Sequence, residues 1–351
     1  MAEQHRAPAH LSSVVKGLWI CLALSFSAAA QVPMVGDINL YGLRKVPAEK
    51  ILAAIKVRHG DRLPPSKGDL EDQMEEIPDV VLARVEAVCC EGRDAILFVG
   101  IEERGAPHPS LRSLPAGDAV LPPEFVASYR QFLDAVQHAA SQGNTAEDLT
   151  AGHSLMADPQ SRAFQERFAG FAATHVELLR QVLRDGSEAE QRAIAAAVIG
   201  YAPHKRDVVD DLQYAIEDAD ETVRANAMRA LSAIAVFNSK NSEQAVPIAP
   251  TWFVDLLNSV VLSDRVEAVR ALINLTETPN RGALDLMRER ALPALIEMAR
   301  WPTLSYALPP FLLVGRIAGL PDDQIHQYWE KSDREPVIQK ATAAGRTSRR
   351  R

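Results

Sequence analysis

The sequence has 351 residues, of which 47% are apolar and only 6% aromatic, and its formal net charge is -8. That length accommodates two domains with a sizeable core, and the shortage of aromatics favours close-packed helices over an aromatic-rich β-sandwich. The acidic balance excludes a general nucleic-acid binder and suits a well-solvated surface.

Arg6, His10 and Lys16 form a cationic start, followed by an apolar run from Gly17 to Ala30. The run is short for a membrane span but fits the apolar core of a secretory signal. Ala28-Ala29-Ala30 before Gln31 fits a small-residue cleavage site. Residues 1–30 are therefore expected to be a signal peptide and the mature chain to be exported, to a periplasm or envelope; the alternative is an uncleaved anchor. Cys21 follows the bulky Leu18-Trp19-Ile20, which does not suit lipidation. The other two cysteines, Cys89 and Cys90, are adjacent. On a strand they point to opposite faces, so one core thiol and one surface thiol are expected, with a vicinal disulfide as the rarer arrangement.

Residues 31–104 differ from everything after them. Met34-Val35-Gly36-Asp37-Ile38-Asn39-Leu40 alternates as a strand does, and Gly42 breaks it. Pro47 to Val57 reads as a helix with Pro in its first turn, and Ser66 to Ile77 as a second. Val81 to Cys90 and Ala95 to Glu103 alternate again, around a turn at Glu91-Gly92-Arg93-Asp94. The predicted order is β-α-α-β-β. With an Ile-x-Leu strand ending at Gly42, a helix start from Val46 to Leu52 and a closing strand from Val99 to Glu103, this segment resembles a POTRA domain, the polypeptide-transport-associated module of outer-membrane assembly proteins. The resemblance implies binding of peptide segments by strand addition at a sheet edge. The chain departs from that family in lacking a following β-barrel pattern.

Residues 105–123 carry Pro107, Pro109, Pro115, Pro122 and Pro123 and read as a linker. Beyond it no convincing strand occurs. Glu124 to His138 and Ser161 to Leu183 are amphipathic helices, separated by a polar stretch at Gln142 to Asp158 that reads as a loop. A repeat follows. Arg192, Ala195, Val198 and Ile199 align with Arg224, Ala227, Ala230 and Leu231, and these with Arg265, Ala268, Ala271 and Leu272, at intervals of 32 and 41 residues. Acidic, turn-prone residues precede each copy. Partner helices are predicted at Val208–Glu217, Trp252–Leu262 and Leu284–Ala299, with further helices at Leu304–Ala318 and Asp322–Lys331. The clearest copy, Asp220-Glu221-Thr222-Val223-Arg224, resembles a HEAT repeat. The resemblance implies an α-solenoid over residues 124–335, stacked through small alanines, in which Arg192, Arg224 and Arg265 are structural and bond an acidic residue or helix end of a neighbouring repeat. Residues 336–351 read as a basic tail, expected to fray, with Arg349, Arg350 and Arg351 offering a contact for anionic lipid or an acidic partner.

No motif carries catalytic chemistry. The sequence has no Cys-x-x-Cys, no His-Glu-x-x-His, no phosphate-binding glycine loop and no Gly-x-Ser-x-Gly. Its nine histidines never fall at i, i+3 or i+4. No cofactor or metal is expected. Trp252, Phe253, Trp301 and Trp329, with Tyr306, are the candidate partner-binding aromatics. The fold class expected is a small α+β domain followed by an all-α helical-repeat solenoid. The expected function is a noncatalytic exported scaffold that binds protein partners through the solenoid and the sheet edge. A part in outer-membrane protein assembly and an enzyme or enzyme regulator with a site at the domain junction are the alternatives.

Overall fold

The computed structural model describes residues 33–91 and 94–348. The expected signal peptide and Arg349, Arg350 and Arg351 lie outside the described residues.

Alternating residues build three strands, β1 (Met34–Tyr41), β2 (Val80–Glu91) and β3 (Asp94–Glu103), and between β1 and β2 lie two helices, α1 (Ala48–Ile55) and α2 (Lys67–Glu75). Ser66 caps α2 by accepting the N–H of Asp69 at 3.2 Å. The strands form one sheet in the order β1-β3-β2, with β1 parallel and β2 antiparallel to the central β3. One face of the sheet buries Val35, Val85, Leu97, Val99 and Ile101 against Ile51, Ile55, Leu70 and Met74 of the helices. The other face, with Tyr41, Ile96 and Phe98, joins the core of the helical region instead. The register of β2 on β3 shifts between Val88 and Glu91. Cys89 is exposed and disulfide-bonded, so at this position a disulfide stands where a thiol is expected from the sequence.

The helical region consists of α3 (Pro123–Ser141), α4 (Pro159–Asp185), α5 (Ala189–Ile199), α6 (Val209–Ala215), α7 (Glu221–Lys240), α8 (Thr251–Leu256), α9 (Leu262–Leu275), α10 (Arg281–Arg290), α11 (Leu292–Ala299), α12 (Leu304–Ile317), α13 (Asp322–Glu330) and α14 (Glu335–Ser348). The stretch between α3 and α4 is not wholly loop, because β4 (Glu147–Asp148) pairs antiparallel with β5 (Leu155–Met156). Near its middle, α4 breaks helical geometry at His175 (φ -127°, ψ 28°), just after Thr174, whose hydroxyl bonds back to the carbonyls of Gly170 and Phe171. Its second half pairs with α5, α6 with α7, and α8 with α9. In each pair the second helix carries the repeat arginine and buries small residues: Ala195 and Ala196, Ala227, then Ala268 and Ala271. The wide interval between the second and third copies is taken up by the long α7 and an irregular segment at 241–250. The helix expected at Leu284–Ala299 is two, parted at Ala291 two residues ahead of Pro293.

Two segments read as unstructured connections are built into the fold. The expected tail is mostly α14, whose Val337, Ile338 and Ala341 are buried at helical spacing in the main core. Residues 105–122, expected to separate two domains, form a strap along one edge of the helical stack. The backbone N–H of Arg112 donates to the carbonyl of Glu217 at 2.8 Å, and its guanidinium stacks 3.2 Å from the centre of the Tyr214 ring. Gly117 bonds both Asp185 and Ser187, at 2.8 and 3.0 Å. A Cβ on Gly117 would stand 2.5 Å from the Asp185 carbonyl oxygen, so only glycine permits this approach. Leu121 donates to the Gln191 side chain at 2.9 Å. The strap thus passes the turn before α7 and then the turn before α5, against the order of the repeats, and ends at α3.

Candidate functional site

The repeat arginines define the edge along which the strap runs. Arg192, fully buried, donates two bonds to Asp218, each 2.9 Å, and two more to the carbonyls of Gly186 and Ser187. Arg224 repeats the arrangement with Asp264, at 2.8 Å twice, and with the carbonyls of Asp218 and Ala219. Each arginine thus ties the turn before its own helix to a carboxylate of the next repeat. The planar, five-donor guanidinium fits that task and a lysine would not. Arg265 varies the pattern: it donates to the Ser259 carbonyl at 2.6 Å and reaches Glu297 of α11 at 3.4 Å.

At this third position the α+β module joins the stack. Glu297 also accepts the backbone N–H groups of Gly42 and Leu43, at 2.8 and 3.3 Å. Gly42 has φ +86°, and a Cβ there would meet the Ile101 carbonyl oxygen at 2.0 Å, so the turn requires glycine. The Tyr41 ring lies beneath the Arg265 guanidinium at 4.7 Å, and its hydroxyl donates to the Val260 carbonyl at 2.9 Å. Gly100 leaves the space across the sheet that this ring fills. Trp301 packs edge-on against Tyr41 and Phe98, and its indole N–H donates to the Leu40 carbonyl at 3.0 Å. Thr303 accepts from Asn39 at 2.8 Å and donates to Asp37 at 3.0 Å. Burial pushes the Glu297 carboxyl above the usual carboxylate range, opposed by Arg265 and the two backbone donors.

Strand addition, implied by the resemblance of the module, needs a free sheet edge. Here the outward N–H groups of Ala83 and Val85 on β2 are taken by the carboxylates of Glu75 and Glu71 on α2, at 3.0 and 2.8 Å. The outer edge of β1 is covered by the Gly60–Asp61 turn bonding Val35, by His59 on Gly36, and by Trp301.

A groove of about 900 Å³ lies on the opposite side of the second helices from α6 and α8. Tyr129, Phe132, Leu133 and Val136 of α3 form one wall, with Phe168 of α4 and Met156 of the small ribbon. The floor comes from α5, α7 and α9, at positions two and five beyond each repeat arginine. In the first repeat these are Ile194 and Ala197, in the second Asn226 and Arg229, and in the third Arg270, with Glu267 buried beneath it. The floor therefore passes from apolar to polar to charged. Beside it, Lys205 donates to the Gly200 carbonyl at 2.8 Å and contacts His153 at 3.3 Å. Burial pushes Lys205 down to about 8, and burial and the Lys205 charge push His153 down to about 4.

None of the five aromatics singled out in the sequence lines this groove. Phe253 is fully buried and Trp301 is 3% exposed, held by the module, so both are core residues rather than partner anchors. Trp252 and Trp329 are half-buried, and Trp329 packs on Phe311 at 5.5 Å under Arg334. The sequence signal for the groove is the pair Arg229 and Arg270, each five residues after a repeat arginine, opposite a helix α3 more apolar than one neighbour can cover. Among the described residues no group of three or more His, Cys, Asp or Glu is gathered to hold a metal ion, and no helix is long and apolar enough to cross a membrane.

Residues 176–275 match the family model of HEAT repeats. The match begins one residue after the break in α4 and ends at the last residue of α9, so it spans the three helix pairs and all three repeat arginines. HEAT repeats generally mediate protein–protein interaction. No curated protein matches the chain.

Proposed function

We propose that this HEAT-repeat chain is a noncatalytic, exported scaffold of the cell envelope that holds a protein partner in the groove between α3 and the second helices of the repeats. The observation that carries the reading is that this open surface combines an apolar wall with exposed polar and charged positions of a HEAT array. Interfaces of that composition, an apolar centre with a polar rim, are those proteins use to bind one another. Export rests on the cationic start, apolar run and Ala-Ala-Ala site of residues 1–30.

The experiment is capture from envelope extracts with the full chain, run beside Leu133→Asp and Ala197→Trp. Leu133 is 49% exposed on the groove wall, so its replacement leaves the fold intact while placing a charge in the apolar section. A partner retained by the wild type and lost with Leu133→Asp supports the reading; equal capture by both removes the groove from it. A reporter fused after Gln31 is expected outside the cytoplasm, and cytoplasmic retention defeats the export reading.

A role through the POTRA-like module by strand addition is less well supported, because both outer edges of its sheet already carry internal hydrogen bonds.

A further inference from the structure

At the far end of the groove floor two guanidinium groups, Arg229 of the second repeat and Arg270 of the third, flank the buried carboxylate of Glu267. Arg229 donates to Glu267 at 3.0 Å, and Arg270 stands 3.5 Å from the other oxygen of the same carboxylate. The arginine side chains are 61% and 55% exposed, while Glu267 is 5% exposed beneath them. A single carboxylate accepts few of the donors that two guanidiniums present, so these exposed groups keep donors available to a ligand in the groove. The acids of the lining are already occupied. Glu190 is held by Arg130 through bonds of 2.7 and 2.6 Å. Asp220 caps α7 by accepting the N–H groups of Thr222 and Val223. Glu147, on the ribbon at the rim, accepts the Ser154 hydroxyl at 2.6 Å.

Resting on the groove reading above, we infer that the partner is a peptide segment that sets a bulky apolar side chain against the α3 wall and a carboxylate on Arg229 and Arg270. The gradient of the floor supplies the order: apolar at Ile194 and Ala197, amide at Asn226, cationic at the far end. A guanidinium pair recognises a carboxylate in a bidentate fork and repels a lysine at the same place, which gives the site a preference as well as an affinity. Small residues at Ala197 and Ala230 let a backbone approach the floor closely.

The test is a phage-displayed library of random dodecapeptides, panned on the full chain with counter-selection on Leu133→Asp. The expected result is enrichment of sequences that join Leu, Ile or Phe to Asp or Glu. A labelled representative should weaken about fivefold when its acid is changed to the amide, and that difference should vanish in Arg229→Gln or Arg270→Gln. Selected peptides that depend on Leu133 but lack an acid, or that bind both arginine variants as they bind the wild type, overturn the carboxylate inference and leave the groove reading standing. Failure to select any peptide that depends on Leu133 overturns both.

Discussion

Glu297 of α11 accepts the backbone N–H of Gly42 at 2.8 Å, 255 residues away in sequence, while facing Arg265 at 3.4 Å. One carboxylate thus closes the last rung of the repeat ladder and receives the N-terminal module. Replacing Glu297 by Ala leaves the buried Arg265 without a carboxylate, with the Ser259 carbonyl and the Tyr41 ring as its partners, and strands two backbone donors. The expected loss is about 3 kcal/mol, read as a lower urea midpoint, together with new proteolytic cleavage in residues 105–122 as the module loosens. An unchanged midpoint would show that the module docks without this contact.

Arg224 and Asp264 are 2% and 0% exposed and bonded twice. Changing either alone should cost about 3–5 kcal/mol, because the partner is left charged in the core. Arg224→Met with Asp264→Leu together should cost clearly less than the two single changes combined. Simple additivity in urea unfolding would contradict a coupled pair.

Lys205 gives a pH dependence with a definite sign. Its folded-state value, about 8, lies below the unfolded value of about 10.4. The unfolded chain therefore binds more protons between those limits, and stability rises with pH across them, by up to about 3 kcal/mol. Wild-type unfolding compared at pH 7 and pH 9.5 should show the rise, and Lys205→Met should lack most of it. A flat profile in the wild type excludes the effect.

Glu71 and Glu75 close the β2 edge from α2. The variant carrying Glu71→Ala and Glu75→Ala should expose the N–H groups of Ala83 and Val85 and self-associate through that edge, seen as concentration-dependent growth in light scattering. A monodisperse variant would mean that other features of the edge suffice to protect it.

Local pattern carried the repeat, the strands and the order β-α-α-β-β, because periodicity and turn residues report on neighbours along the chain. It carried Arg192, Arg224 and Arg265, since the arginine recurs in phase with the alanines. Their acceptors were less legible: Asp218 and Asp264 fall in or next to the acidic turns, but Glu297 belongs to no repeat signature. Trp301 shows why composition misleads. An aromatic at a helix junction suits an exposed anchor, and only the distant Leu40, Tyr41 and Phe98 make it core. The strap was hidden for a related reason. Prolines do mark missing donors, yet three residues, Arg112, Gly117 and Leu121, suffice to lay the segment down. The groove takes its wall from α3, α4 and the ribbon and its floor from α5, α7 and α9, which no sequence window contains together.

The strap has a consequence for how this protein can change over generations. Stacks of this kind ordinarily lengthen by duplicating a unit, since each unit touches only its neighbours. Here a segment of fixed residue number runs from the end of the module, which is itself docked through Tyr41 on Val260, past Glu217 to Gln191, and its reach is limited by chain extension, at most about 3.3–3.6 Å per residue. A duplicated helix pair would move those anchors apart unless the strap grew in the same event. The segment acts as a ruler that sets the number of units, turning an array open to expansion into one of determinate size.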